Sequence, residues 1–306
     1  MKADHFLTAL GLVPEPSVKR SDYRFPDGAH FRIEIPSVEG PTTLRDVLAE
    51  ADQRGVVVNR VSQGSGAMLL SEGELDEMAR IAADNGVEIS LFVGPREGWD
   101  IGVQSRAADG PALAGQLRGT RQLRFGVEDV LRATERGIRG FLIADLGLLE
   151  ILVGMQASGD LPSNTVWKIS AMLAPSNPIA MKQMERMGAS TVNVPSDLTL
   201  ELTAEFRAAS SLPIDVYVES PDAMGGVVRG HESAELIAVA APMYTKFGLR
   251  NSTPIYPAGI HNLDYASLLG REKVRRASLA LEWIKRSDFS LIQSAAGALG
   301  LGVPEV

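Results

Sequence analysis

The chain has 306 residues, 38 acidic against 30 basic side chains, a net charge of −8 and no cysteine. The missing thiols exclude disulfides, iron–sulfur clusters, cysteine zinc sites and a thiol nucleophile. The acidic balance argues against a nucleic-acid partner, which needs a basic face.

Residues 1–30 precede the first strand-like run, and a helix around Phe6 to Leu12 is expected to cover one end of the fold. The start, Met1-Lys2-Ala3-Asp4-His5, lacks the long apolar stretch of a signal peptide, so a cytoplasmic setting is expected. No run of about 18 apolar residues predicts a membrane span or a membrane partner.

Eight apolar or alternating runs follow, at 31–36, 56–62, 87–94, 140–146, 166–172, 190–195, 213–220 and 243–250. Their starts lie 25, 31, 53, 26, 24, 23 and 30 residues apart. That is the length of a strand, a crossover helix and two loops. The helical patterns between them stop where expected. Residues 44–54 end at Gly55, and 72–85 start after Ser71 and end at Gly86. Residues 127–136 end at Gly137, and 178–187 start on a proline and end at Gly188. Strands alternating with helices predict an α/β chain, a single TIM-barrel domain over 1–306 whose (β/α)8 barrel spans 31–270. The rival is an open doubly wound sheet. The long third gap holds Pro95-Arg96-Glu97-Gly98-Trp99-Asp100, either a lid carrying Trp99 or a surface insertion. Residues 271–306 read as C-terminal helices. Leu279, Trp283, Ile284 and Leu291 there would leave apolar surface for a homo-oligomer to cover.

Alternation along a barrel strand sends one set of side chains to the helices and the other to the lumen. With the apolar set outward, the lumen receives Arg32, Glu34, Glu88, Ser90, Phe92, Asp145, Lys168, Ser170, Asn193, Asp215, Tyr217, Glu219, Tyr244, Lys246 and Arg250. Arg60 shares a face with Ser62, while Asn59 and Gln63 share the other. Barrel interiors usually hold branched apolar residues. A buried unpaired charge costs several kcal/mol, so these groups must pair, bind a ligand, or both. Arg32, Glu88, Asp215 and Tyr244, near strand starts, are expected to form internal ion pairs. The groups near strand ends lie toward the face where barrels do chemistry.

A desolvated lysine beside other cations can act as a base or form a Schiff base, and Lys168 and Lys246 both qualify. Glu219 is the expected partner of either, as part of an acid–base pair. Arg60, Gln63, Ser170, Asn193, Arg250, Trp99 and His261 are the candidate substrate-binding residues, Arg250 suiting an anionic group. His231 and His261 follow the seventh and eighth strands, and His231 is the candidate acid–base histidine. The amides of Gln63-Gly64-Ser65-Gly66 offer either an anion cradle or a simple turn. Glu34 and Asp145 are candidate oxygen ligands for a divalent cation, Mg²⁺ or Mn²⁺.

From Ala144 to Arg207 the chain resembles the U32 peptidase family. The matching residues are Ala144-Asp145-Leu146-Gly147-Leu148-Leu149, Ser170, Asn177, Met187-Gly188-Ala189 and Val194-Pro195-Ser196-Asp197-Leu198-Thr199-Leu200. The resemblance implies a barrel-like catalytic domain and, by the family name, a hydrolase. The family's cysteine-bearing signature is missing here, so cluster chemistry does not carry over. Three functions stand at this point: a lyase, aldolase or isomerase for a small anionic metabolite; a metal-dependent peptidase or amidase; and a barrel that binds a ligand or partner without turnover.

Overall fold

In a computed structural model, which describes residues 2–12, 18–99, 102–108, 110 and 113–306, eight parallel strands close into a barrel in sequence order. They are β1 (Phe31–Pro36), β2 (Arg60–Gln63), β3 (Glu88–Phe92), β4 (Gly140–Ile143), β5 (Val166–Ile169), β6 (Thr191–Asn193), β7 (Ile214–Glu219) and β8 (Met243–Phe247). The closing pair, β1 with β8, removes both sheet edges. The chain is a TIM barrel, not an open sheet.

The helices are α1 (Lys2–Ala9), α2 (Pro41–Arg54), α3 (Glu72–Asp84), α4 (Gly119–Glu135), α5 (Leu146–Ser158), α6 (Pro178–Arg186), α7 (Leu200–Ala209), α8 (Ser233–Ala240) and α9 (Leu263–Arg286). Local signals explain several ends. Ser71 opens α3 with a capping box to Glu74. Asn177 caps α6 ahead of a proline, and Gly55 closes α2 in the left-handed conformation. The apolar strand faces, such as Ile33, Val61, Ile89, Phe141, Trp167, Val192, Val216 and Phe247, join the helices in one continuous core.

Both ends of the chain differ from expectation. α1 leaves Phe6, Leu7, Leu10 and Leu12 exposed, so it does not cover the barrel floor. Of residues 271–306, expected to be helical throughout, those past α9 form an extended tail, whose Gln293 bridges to Phe31. Glycines at 297 and 300 turn it with φ of 66° and 83°, backbone that a helix cannot accommodate. The floor is closed by this tail and by the segment around Phe25. Phe25, Ala29 and Tyr244 pack together, and the Gly302 amide donates to Glu88 Oε2 (3.0 Å). α9 lies along α2, and Ile284 is buried, while Trp283 stays 44% exposed. The second strand begins at Arg60 instead of Val56, after a loop that leaves Val57 exposed. Among the described residues, no helix is long and apolar enough to cross a membrane.

Candidate functional site

Strand alternation places a column of charged groups along the barrel axis. Arg60 from β2 is its centre. Its Nη2 lies 2.5 Å from Glu34 Oε2 and 2.7 Å from Asp215 Oδ2, and its Nη1 lies 3.4 Å from Glu88 Oε1. Lys168 reaches across the lumen from β5 to Glu34 and lies 3.7 Å from Asp215. Lys246 from β8 is 3.3 Å from Glu34 and donates to Asn193 Oδ1 at 2.6 Å. Ser62 donates to the same Glu34 oxygen (2.7 Å), and Thr191 joins Arg60 to Asp215. The central carbon of the Arg60 guanidinium lies 3.4 Å from the Tyr244 ring centre, and Lys246 Nζ sits 4.1 Å from the Tyr217 ring centre. Glu34, Arg60, Lys168 and Asp215 are all fully buried.

Burial and neighbours divide the titrations. Desolvation alone would raise the Glu34 carboxyl, but Arg60, Lys168 and Lys246 together hold it well below the usual carboxylate range. Burial, reinforced by Arg60 and Lys246, pulls Lys168 down to about 7 despite its carboxylate neighbours. Burial works the same way on Lys246, yet Glu34, Tyr217 and Asp215 outweigh it and hold that ammonium above the ordinary lysine value. So the two lysines differ: Lys246 is a fixed cation, and Lys168 exchanges its proton near neutrality. Two lumen polar atoms, Asp215 Oδ1 and Ser90 Oγ, are buried without a hydrogen-bond partner.

The other candidates fall elsewhere. Glu219 is not the partner of either lysine. The β7–β8 register shifts between Tyr217 and Glu219, and the extra residue breaks the alternation that would have aimed it inward. Its carboxylate instead accepts from the Arg250 amide (3.1 Å) and lies 3.6 Å from Arg276 of α9. Burial raises its pKa, against that amide and Arg276. Arg250 lies beyond the end of β8, where alternation no longer operates, with its side chain 61% exposed beside Asp222. His231 and His261 are exposed loop residues, the first next to Trp283. Asp145 caps α5 through the Leu148 amide and also accepts from the Leu117 amide, both at 2.9 Å. Asp145 and Glu34 therefore do not share a site. Glu34 is surrounded by cations, and no group of three metal-ligating side chains gathers among the described residues. This donor set does not fit a divalent ion. Ser170 accepts from the Met172 amide, and Gln63 clasps the Gly66 backbone, so both shape loops. The amides of Gly64 and Ser65 do meet an anion, but it is the Glu39 carboxylate of this chain, at 2.9 Å from each.

The mouth of the barrel joins Phe92, Gly64 and Trp99, which the sequence pattern marked, to Arg96 and Tyr256, to which it assigned no role. Arg96 stacks 3.5 Å above the Phe92 ring, with the Trp99 ring at 4.6 Å and the Tyr256 ring at 5.8 Å. Its guanidinium donates to the Gly64 carbonyl, and burial lowers its pKa to about 10. An added Cβ on Gly64 would lie 2.5 Å from the Tyr256 ring, so only glycine lets Tyr256 close over this loop. Arg96 was hidden in the long irregular gap, where period gives no side-chain direction. Thr191 and Tyr217 are weakly marked for the opposite reason: neither residue type stands out inside a strand.

No family model matches the chain, and no curated protein matches it. Solved structures resemble it at low identity. A putative copper homeostasis protein from Streptococcus agalactiae superposes with a TM-score of 0.47 at 13% identity, covering 70% of this chain and 98% of its own. A U32 peptidase gives 0.42 at 19%, covering 67% and 73%. The carboxyl transferase domain of Rhizobium etli pyruvate carboxylase gives 0.44 at 11%, covering 92% and 56%. At these identities the likeness is one of fold.

Proposed function

We propose that the chain is a barrel enzyme that uses the Lys168 amine on a small anionic carbonyl compound, in lyase, aldolase or isomerase chemistry. The observation carrying this reading is the lysine itself: buried, next to Arg60 and Lys246, with its pKa lowered to about 7. At neutral pH about half of such amines are uncharged, against roughly one in three thousand for an ordinary lysine. The neutral amine adds to the carbonyl carbon, and loss of water leaves an iminium that accepts electrons from the neighbouring carbon. Lys246 and Arg60 supply the positive field for the substrate's acid group. Asp215 Oδ1 and Ser90 Oγ, both lacking partners, are available to a substrate hydroxyl. Entry is from the mouth, and requires the 95–99 segment and Tyr256 to move aside. A U32-like hydrolase using a metal finds no donor set among the described residues to support it.

Incubation with a panel of 2-oxo acids and borohydride tests the proposal. The expected result is a stable adduct mapped by mass spectrometry to Lys168 and lost in Lys168→Met. Trapping should rise through pH 7 and then level off, as the amine loses its proton. No adduct on Lys168 with any oxo acid would leave the charged column as an internal scaffold, the non-catalytic reading.

A further inference from the structure

The opposite end of the barrel carries a second polar feature, independent of Lys168. The lumen column contains four buried cations, Arg32, Arg60, Lys168 and Lys246, and three buried acids, Glu34, Glu88 and Asp215. All three acids contact Arg60, and two of them also contact Lys168. Arg32 has no acid. Its Nε donates to Ser294 Oγ (3.0 Å), Nη1 to Tyr244 Oη (3.1 Å) and Nη2 to the Leu299 carbonyl (2.7 Å). A guanidinium has five N–H donors, so three neutral acceptors leave two donors over. The Phe25 ring, 4.0 Å from its central carbon, supports it from one side.

This surplus cation borders a cavity of about 210 Å³ at the amino-terminal end of the strands, lined also by Arg24, Ser190, Thr191, Ser211 and Tyr244. No carboxylate is among the lining residues. A water claims roughly 30 Å³ of liquid, so the space admits a small polyatomic ion. Arg24, exposed at the entrance, donates to the Ser21 and Tyr23 carbonyls and adds a second guanidinium. Thr191 and Ser211 already donate to Asp215 and Glu185, so the donors facing the cavity are the two arginines with the Ser190 and Tyr244 hydroxyls, and guanidinium groups suit an oxyanion.

We propose that this cavity is a binding site for a small oxyanion, a carboxylate or a phosphate group, held by Arg32 with Arg24 at the entrance. It lies at the end of the barrel away from the mouth, so it is separate from the proposed chemistry at Lys168. The bound anion would meet Arg32, a lumen cation that contacts no acid among the described residues.

Calorimetric titration at constant ionic strength tests this, with inorganic phosphate and acetate as probes. Saturable one-to-one binding of at least one probe is expected. Preference for phosphate or for acetate identifies which oxyanion the site takes. Arg24→Gln, a change at an exposed residue, should weaken binding about fivefold or more, and Arg32→Gln should abolish it. Should Arg32→Gln fail to fold, Arg24→Gln alone decides. Arg96→Gln, at the mouth, should leave affinity unchanged. No saturable binding of either probe, or binding that Arg24→Gln leaves intact, would overturn the proposal. Because Lys168→Met should retain phosphate or acetate binding, failure here is distinguishable from failure of the trapping experiment.

Discussion

Arg60 is the residue on which the lumen depends. It touches three carboxylates, Glu34, Glu88 and Asp215, and against the desolvation of Glu34 its charge helps hold that carboxyl well below the usual range. Arg60→Met leaves those acids facing each other, and breaking a buried ion cluster in this way costs about 3–5 kcal/mol. Urea denaturation of Arg60→Met should show a loss of that size, and the double variant Arg60→Met/Asp215→Leu should recover part of it. Arg250→Ala is the control. Its side chain is largely solvated, so its stability should change by less than about 0.5 kcal/mol. Equal losses in Arg60→Met and Arg250→Ala would refute this account of the column.

The element that departs most from a plain barrel is the C-terminal tail. It supplies Ser294 Oγ and the Leu299 carbonyl to Arg32, the Ser294 and Ala295 carbonyls to Asn59, and the Gly302 amide to Glu88. Gly86 and Gly297 meet so closely that a Cβ on Gly86 would lie 2.6 Å from the Gly297 nitrogen. The tail therefore completes the lumen from below. Truncation after Asp288 strips each of these buried polar groups of a partner, at about 1–3 kcal/mol apiece. The truncated chain should melt far lower or fail to accumulate as folded protein. A melting temperature equal to that of the full chain would mean that the floor closes without the tail. The bulge in β7 is the second such element. One irregular residue moves Glu219 from the lumen to the helix layer, and with it the acid–base pair that alternation would have made.

At the scale of the whole molecule, the buried titratable groups set how stability follows pH. Lys168 and Lys273 have folded pKa values of about 7 and about 8, each lowered by burial. Between those values and 10.5 the unfolded chain holds protons that the folded chain has released, so stability rises with pH. Each proton contributes at most about 1.4 kcal/mol per pH unit. Tyr244, raised mainly by burial, acts in the opposite sense above about pH 10, where the unfolded phenol ionises and the folded one does not. Denaturation series at pH 7, 8 and 9 should show increasing stability, with a shallower rise in Lys168→Met. A flat or falling profile would contradict the burial-lowered lysines.

The sequence by itself determined the barrel. Its eight runs, the stop signals at Gly55, Gly86, Gly137 and Gly188, and the apolar alternation all reflect local rules that tertiary packing reinforced. It also determined much of what faces the axis, so Glu34, Lys168, Asn193 and Lys246 were legible as a set, while the face of the second strand, and with it Arg60, stayed open. Pairing within that set was decided only by the tertiary structure. Side chains from β1 and β5 meet because closure brings opposite strands within reach, and neither period nor spacing encodes that distance. Tertiary contacts likewise decided the positions past the strand ends. There the alternation lapses, and Arg250, His231, His261 and Asp145 turn to solvent or to caps. Arg96 and Arg32 acquire their surroundings from loops and a tail whose paths no repeat predicts.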